Sequence, residues 1–466
     1  MKYAIIGAGL AGLTAAYELR QLDPDAEIDV FEADERIGGK LYTVPFESGR
    51  TDMGAEAFLA FRKDAVDFFT QLGLGDAIVS PSGLKSLVYC GGSLHPIPMG
   101  GAMGIPATSE GLDGLISAET AARIDAESDQ PGIDWQPGGD MSVGQLVRER
   151  YGDDVVDHVV SSLLGGVYSC SADDLGIRAT VPQLAVTFDK MVAAGEKVTL
   201  SGAVAKLDEA RAAMRKAADT AAPKPVFGAF QDGYAQMYEE LAEQSGARIH
   251  LDAFISEIKR VSGGFSLVKA EGAFDRVLVA TPAPTAAAQL RTVAPEASAE
   301  LKKVKLASSA VVGMKFDSAE GLPDNSGILI ALDEPGVHAK AFTLSSKKWP
   351  HLAERGGALV RASFGRFGDD AIVRASEDDL VDYALDDLQA ITGFDGRAAG
   401  LSEIFVQRWF GGLPCYDETH LATVAAVREV LSGVDGIEVA GAWADGVGVP
   451  AVIAGARAAA GRLISV

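Results

Sequence analysis

The first twelve residues, MKYAIIGAGLAG, set the strongest constraint on what this chain can fold into. An apolar run, KYAII, breaks at Gly7 and gives way at once to an apolar-periodic stretch, 10–22, that stops before Pro24. A short buried strand must therefore turn straight into an amphipathic helix. Gly7, Gly9 and Gly12 occupy the three positions where such a turn has no room for a side chain. Gly7 permits the tight turn, Gly9 lets the backbone approach a pyrophosphate, and Gly12 lets helix and strand pack closely. Together with Ala8, Leu10 and Ala11 they offer free N–H groups and the positive end of the helix dipole to a phosphate. EIDVFEA reads as the second strand, ending in Glu32, where a carboxylate can accept ribose hydroxyls, with Ala33 beside it. This β-α-β start predicts a Rossmann-like α/β fold that binds a dinucleotide.

The residues that follow decide which dinucleotide. EADERIGGK places a second glycine pair, Gly38 and Gly39, with Lys40, just beyond Glu32, an extension that resembles the flavoprotein fingerprint rather than the simpler nicotinamide one. The expected cofactor is FAD, held non-covalently. DMGAEAF would bring Gly54, Ala55, Glu56 and Ala57 to it, and Ile255 and Trp409 complete the expected contacts at mid-chain and beyond. At the far end, GIEVAGAWADGVGVPAVIAGARAAAGRL reads as a strand, a glycine-rich turn and a terminal helix. Gly441, Val447, Gly448 and Val449 would set the start of that helix against the pyrimidine end of the flavin, favouring its anionic reduced form. The FAD-binding domain is thus expected from three segments, 1–85, 223–290 and 431–466. Between them lie a loop-rich connection (86–141), a helical domain (142–222) and a substrate-binding domain with a mixed sheet (291–430).

Composition narrows the partners. With 65 acidic against 41 basic residues the net charge is −24, which repels nucleic-acid backbones and anionic lipid surfaces. Three cysteines, Cys90, Cys170 and Cys415, are too few and too scattered for a disulfide framework or a zinc site, so no metal is expected and a reducing compartment fits best. No run is long and apolar enough for a membrane span. The expectation is a soluble, cytoplasmic protein.

GGVYSCSADDLGIRATVPQL, 165–184, fits neither nucleotide nor metal binding. It resembles the G-V-Y segment and following L-x-x-R-A-x-x-P-Q-L stretch of the protoporphyrinogen/coproporphyrinogen oxidase family, within the wider group of amine oxidases and phytoene desaturases. TLSSKKWPH, RWFGGLPCY and AGAWADGVGVPAVIAG resemble three further family stretches, so the likeness spans nearly the whole chain except the charged 206–225 stretch. It implies that Gly166 and Tyr168 face a tetrapyrrole, that Leu344 and Phe364 clamp its pyrrole rings, and that Trp409 and Tyr416 lie near the flavin. A porphyrinogen needs a wide apolar cleft with charged anchors at its rim, which agrees with those residue types. The reaction implied is a six-electron oxidation in three rounds of hydride transfer to the flavin, with molecular oxygen as acceptor and hydrogen peroxide as product. Glu56 is the candidate proton acceptor.

Coproporphyrinogen III carries four propionates and protoporphyrinogen IX two. The acidic, span-free sequence favours the more water-soluble substrate, with protoporphyrinogen IX as the alternative. Candidate propionate anchors are Arg62, Lys63, Lys347 and Lys348, because charge-assisted bonds to carboxylates are strong. Ser86 stands where the family often has an arginine, which leaves part of the carboxylate recognition unassigned. Two further alternatives are a flavin amine oxidase, with Cys415 and Tyr416 at the flavin, and a non-catalytic flavin-binding protein. Transient contact with other haem-biosynthesis enzymes completes the expected partners.

Overall fold

The computed structural model describes residues 1–217 and 225–465. Its first strand, Lys2–Ile6, runs into the helix Leu10–Leu22 with only Gly7, Ala8 and Gly9 between them. That strand is the centre of a five-stranded parallel sheet in the order Arg248–His250, Glu27–Phe31, Lys2–Ile6, Arg276–Val279, Ile437–Val439. A parallel sheet is stable only when both faces are covered. Tyr3 and Ile5 pack under the helices Leu10–Leu22, Ala235–Ser245 and Val449–Ser465, while Ala4 and Ile6 pack against Ala283–Leu290, Pro295–Leu301 and His420–Ser432. The strands come from three stretches far apart in sequence, and the glycine turn lies at the C-terminal end of the central one, where such sheets bind ligands.

A second, seven-stranded sheet runs Leu401–Pro414, Leu306–Phe316, Ala358–Phe364, Ala341–Thr343, Gly327–Ile330, Leu87–Cys90, Ser93–Pro96. Every pair is antiparallel except Gly327–Ile330 with Leu87–Cys90. The last two strands fall within the stretch read as a loop-rich connection. At four residues each they are too short for their alternation to register in the sequence. One face of this sheet, with Val312, Met314, Phe342, Val360, Ala362 and Phe364, is sealed by the helix Glu377–Thr392. The other face turns Val311 and Leu359 towards Val44, Phe46 and Met53 of the first unit's periphery and towards Trp349.

The helical unit packs Val143–Arg150, Ser161–Tyr168, Pro182–Ala193 and Leu200–Ala217 around its own core. Of the charged 206–225 stretch, 206–217 continues the last of these helices, and 218–224 lies outside the described residues. Among the described residues no helix is long and apolar enough to cross a membrane, and no cluster of side chains could hold a metal ion.

Candidate active site

At the end of the central strand the backbone is packed so tightly that side chains are excluded. A Cβ on Gly12 would lie 1.9 Å from the carbonyl oxygen of Gly7. Gly39 has φ +57°, and a Cβ there would sit 2.9 Å from the Cα of Gly9, so the two glycine turns meet backbone to backbone. The Gly38 N–H donates to the Ala8 carbonyl at 2.9 Å, locking one turn to the other. Leu10 and Ala11 are buried in the core, so they can serve a ligand only through their main-chain N–H groups at the helix start. Glu32 stands just beyond the second strand, and its carboxylate accepts the N–H of Ala8 at 2.7 Å and of Asp34 at 3.0 Å. Ala33 is exposed beside it, and the Ala253 N–H donates to the Glu32 carbonyl. The Ile255 side chain is core, and only its backbone could meet a ligand.

Lys40 follows the second glycine pair, and burial pushes its ammonium down to about 8. Among the described residues no carboxylate pairs with it, so an anion reaching this turn would stabilise its charge. Gly54 lies close enough that a Cβ would stand 2.1 Å from the Lys40 carbonyl oxygen, which brings the loop carrying exposed Ala55 and half-buried Ala57 against that turn. Free helical N–H groups, a lysine, a strand-end carboxylate and a side-chain-free cradle form a donor set that fits a dinucleotide.

The opposite wall is tied together by aromatic groups. Trp409 donates its indole N–H to the Met53 carbonyl at 3.0 Å, next to Gly54. Tyr416 donates its hydroxyl to the Ala442 carbonyl and stacks on His420 at 4.0 Å between ring centroids. His420 Nε2 lies 2.8 Å from the Trp443 carbonyl and must donate to it. These bonds fix the turn from Gly441 to Val447. The Gly448 carbonyl accepts the N–H groups of Ala451 and Val452 at 2.9 and 3.0 Å, which makes it the start of the terminal helix, with Val449 as first residue. Tyr168 lies 5.8 Å from Tyr416, so the G-V-Y segment adjoins this wall, with Gly166 and Val167 exposed.

Several expected roles do not fit the geometry. Glu56 is a poor proton acceptor. Its carboxylate is held by Lys348 at 2.9 Å, the Ser345 hydroxyl at 2.7 Å and Arg361 at 3.7 Å. Burial opposes its charge, but the two cations and these bonds outweigh it and hold the carboxyl down at about 2. Arg361 also donates to the Gly54 carbonyl at 2.7 Å, so this cluster pins the loop rather than moving protons. The four candidate anchors are likewise already engaged with carboxylates of this chain. Arg62 grips Asp64 through two bonds of 2.6 and 2.9 Å, and Lys63, 88% exposed, faces Asp67. Lys347 pairs with Asp324 at 2.7 Å, and Lys348 with Glu56.

Leu344 and Phe364, expected to clamp the pyrrole rings, lie inside a packed core. A residue that lines a cleft presents surface to it, and both are 0% exposed on the sheet face that the helix Glu377–Thr392 seals. Strand alternation puts other residues of the sheet on the opposite face. Leu329 is one such residue, and its Cδ2 would be 3.5 Å from a Cβ on Gly166. In GILI every position is apolar, so only the paired register reveals that Leu329 faces opposite to Ile328 and Ile330. Arg361, too, gave no sequence signal. Cys170 and Cys415, far apart in sequence, meet at 3.2 Å between sulfurs, both buried.

A doubly wound sheet with a side-chain-free nucleotide cradle, set beside a mixed sheet and the aromatic cluster of Tyr168, Tyr416 and His420, defines a dinucleotide-dependent oxidoreductase. The chain belongs to the family of flavin containing amine oxidoreductases, whose model matches residues 10–464, and it is a flavin-dependent enzyme. It is 38% identical to the coproporphyrinogen III oxidase of Mycobacterium tuberculosis (strain ATCC 25618 / H37Rv) over 99% of this chain and 96% of that protein. It is 29% identical to the coproporphyrinogen III oxidase of Bacillus subtilis (strain 168), over 98% and 96%. A crystal structure of an Exiguobacterium sp. 255-15 protein assigned as a protoporphyrinogen oxidase superposes with a TM-score of 0.83 at 28% identity, covering 99% of this chain and 98% of that one.

Proposed function

We propose that this enzyme oxidises coproporphyrinogen III to coproporphyrin III in haem biosynthesis, in the cytoplasm, with non-covalently bound FAD. The observation that carries the reading is the end-to-end likeness to coproporphyrinogen III oxidases, at 38% identity with no segment of either chain left largely unmatched. When bound, FAD supplies the hydride acceptor in each of three two-electron rounds, and molecular oxygen takes the electrons on to hydrogen peroxide. The protein's part is to hold the ring against the cofactor. Gly166, Val167 and Leu329 offer an apolar wall, joined through the Tyr168–Tyr416 ring contact to the wall that carries Trp409 and the Gly54 loop. The Glu56 cluster keeps that loop in place.

The burial of Cys415 supports non-covalent binding: its thiol is 1% exposed and abuts Cys170, so it presents nothing to a flavin. The same observation weighs against an amine oxidase that attaches its cofactor there. Protoporphyrinogen IX oxidation is the second reading, favoured by the apolar character of the Gly166 wall. The test is side-by-side oxidation of the two porphyrinogens by purified holoenzyme, followed by porphyrin absorbance, peroxide release and oxygen uptake. A higher kcat/KM for coproporphyrinogen III is expected. Faster turnover of protoporphyrinogen IX would reverse the assignment, and no turnover of either would end it. Acid precipitation should leave the flavin in solution.

A further inference from the structure

The four basic residues that sequence reasoning nominated as anchors all spend their charge on this chain's own carboxylates, yet two cations beside the G-V-Y segment do not. Arg366 lies just beyond the strand Ala358–Phe364, after the turn at Gly365. Its Nη2 makes one long contact to the Ile330 carbonyl, at 3.4 Å, and its Nε is buried with no partner. A Cβ on Gly165 would lie 3.7 Å from that Nε, which places the guanidinium against buried Gly165, the residue before exposed Gly166. Among the described residues no carboxylate pairs with it. Asp369 attracts it only from a distance, and burial holds it below its ordinary range. Lys340, 5% exposed, stands next to it, donating to the Ser169 hydroxyl at 2.5 Å and to the Gly365 carbonyl at 2.6 Å. Burial, and then the Arg366 charge, push this ammonium down to about 7.

Two other arginines of the helical unit are paired with carboxylates. Arg150 is buried on Glu127 and the Pro131 carbonyl, and Arg148 gathers Asp153, Asp157 and Asp173. A part-buried guanidinium whose Nε is buried without a partner, with a second cation at its back, is costly unless an anion is brought to it. The planar fork suits a carboxylate better than a point charge does.

We propose that Arg366, backed by Lys340, is the carboxylate anchor of the substrate cleft, receiving a propionate at the edge of the tetrapyrrole beside Gly166. This rests on the tetrapyrrole reading above. It also separates acid recognition from ring recognition, which falls to Leu329 and Tyr168.

The test uses flavin-loaded enzyme and two ligands in one detergent-containing buffer, coproporphyrin III and its tetramethyl ester, with binding followed by flavin fluorescence quenching. Arg366→Gln is expected to weaken binding of the free acid roughly tenfold or more, as befits a lost charge-assisted contact, while the ester changes less than about twofold. KM for coproporphyrinogen III should rise in parallel, with thermal midpoint and flavin content unchanged. Arg366→Lys should recover part of the loss. If acid and ester weaken together, or neither weakens, Arg366 is a packing residue and the proposal fails. Should Arg366→Gln not retain flavin, Lys340→Gln and Arg366→Lys decide by the same acid-against-ester comparison, and equal effects on both ligands overturn it. A wild-type enzyme that oxidises porphyrinogens while these variants are indifferent sinks the anchor alone. A wild-type enzyme that binds no tetrapyrrole sinks the functional reading itself.

Discussion

Two glutamates of similar sequence context have opposite fates. Glu32 points its carboxylate at the glycine turn, where it accepts two backbone N–H groups. Replacing it by Arg puts a cation where hydroxyls and amides need an acceptor, and flavin content of the purified protein, read as the ratio of visible to ultraviolet absorbance, is expected to fall at least tenfold. Glu56 instead neutralises Lys348 and Arg361 inside the protein. Glu56→Gln leaves both cations without a carboxylate, which costs about 3–5 kcal/mol where a buried pair is broken. Its pH signature follows from the direction of the shift. The carboxyl falls from 4.5 to about 2 on folding, so the stabilisation is complete above pH 4.5 and is lost as pH drops towards 2. Urea unfolding should therefore show a large gap between wild type and Glu56→Gln at pH 7 that narrows below pH 4. A variant with wild-type stability but no turnover would restore Glu56 as a proton acceptor.

At the scale of elements, the alternation of the seven-stranded sheet decides which apolar residues can meet a substrate. Leu344 and Phe364 belong to the face under the helix Glu377–Thr392. Leu344→Ala and Phe364→Ala should each cost roughly 2–5 kcal/mol of stability through the cavity they leave, with KM of the remaining folded enzyme unchanged. Leu329→Ala, on the face towards Gly166, should do the reverse, raising KM for a porphyrinogen several-fold with a smaller loss of stability. Thermal midpoints and steady-state kinetics on the three variants separate the faces. A KM effect confined to Leu344 or Phe364 would mean that the sheet presents its other side.

Over the whole molecule, charge acts against an anionic substrate. The net charge of −24 repels a tetra-anion at long range, and the cations nominated for the rim are offset by Asp64, Asp67, Asp324 and Glu56. Screening should therefore help. Raising ionic strength from about 0.01 M to 0.15 M shortens the reach of exposed charges from about 30 Å to 8 Å, so kcat/KM for coproporphyrinogen III is expected to rise. Neutralising Arg62, Lys63 or Lys347 should leave KM near wild type. A fall in kcat/KM with salt would show that a cationic rim outweighs the overall charge.

Much of the nucleotide half was legible because its signals are local. Gly7, Gly9, Gly12 and Glu32 act within one β-α-β unit, and Gly38 and Gly39 close on them a few residues later, so spacing along the chain is spacing in the fold. The Gly441–Val449 turn was legible for the same reason. The substrate half was not, because its facts are relations between strands from opposite ends of the sequence. Whether Phe364 or Ser363 faces the cleft depends on register, and a shift of one residue reverses every side chain. Which lysine is free depends on where Glu56 and Asp324 fall in space. The composition of the chain sets its charge and the glycine spacing sets its nucleotide cradle, but only the tertiary structure could leave Arg366 without a carboxylate, since pairing is a property of distance and not of sequence.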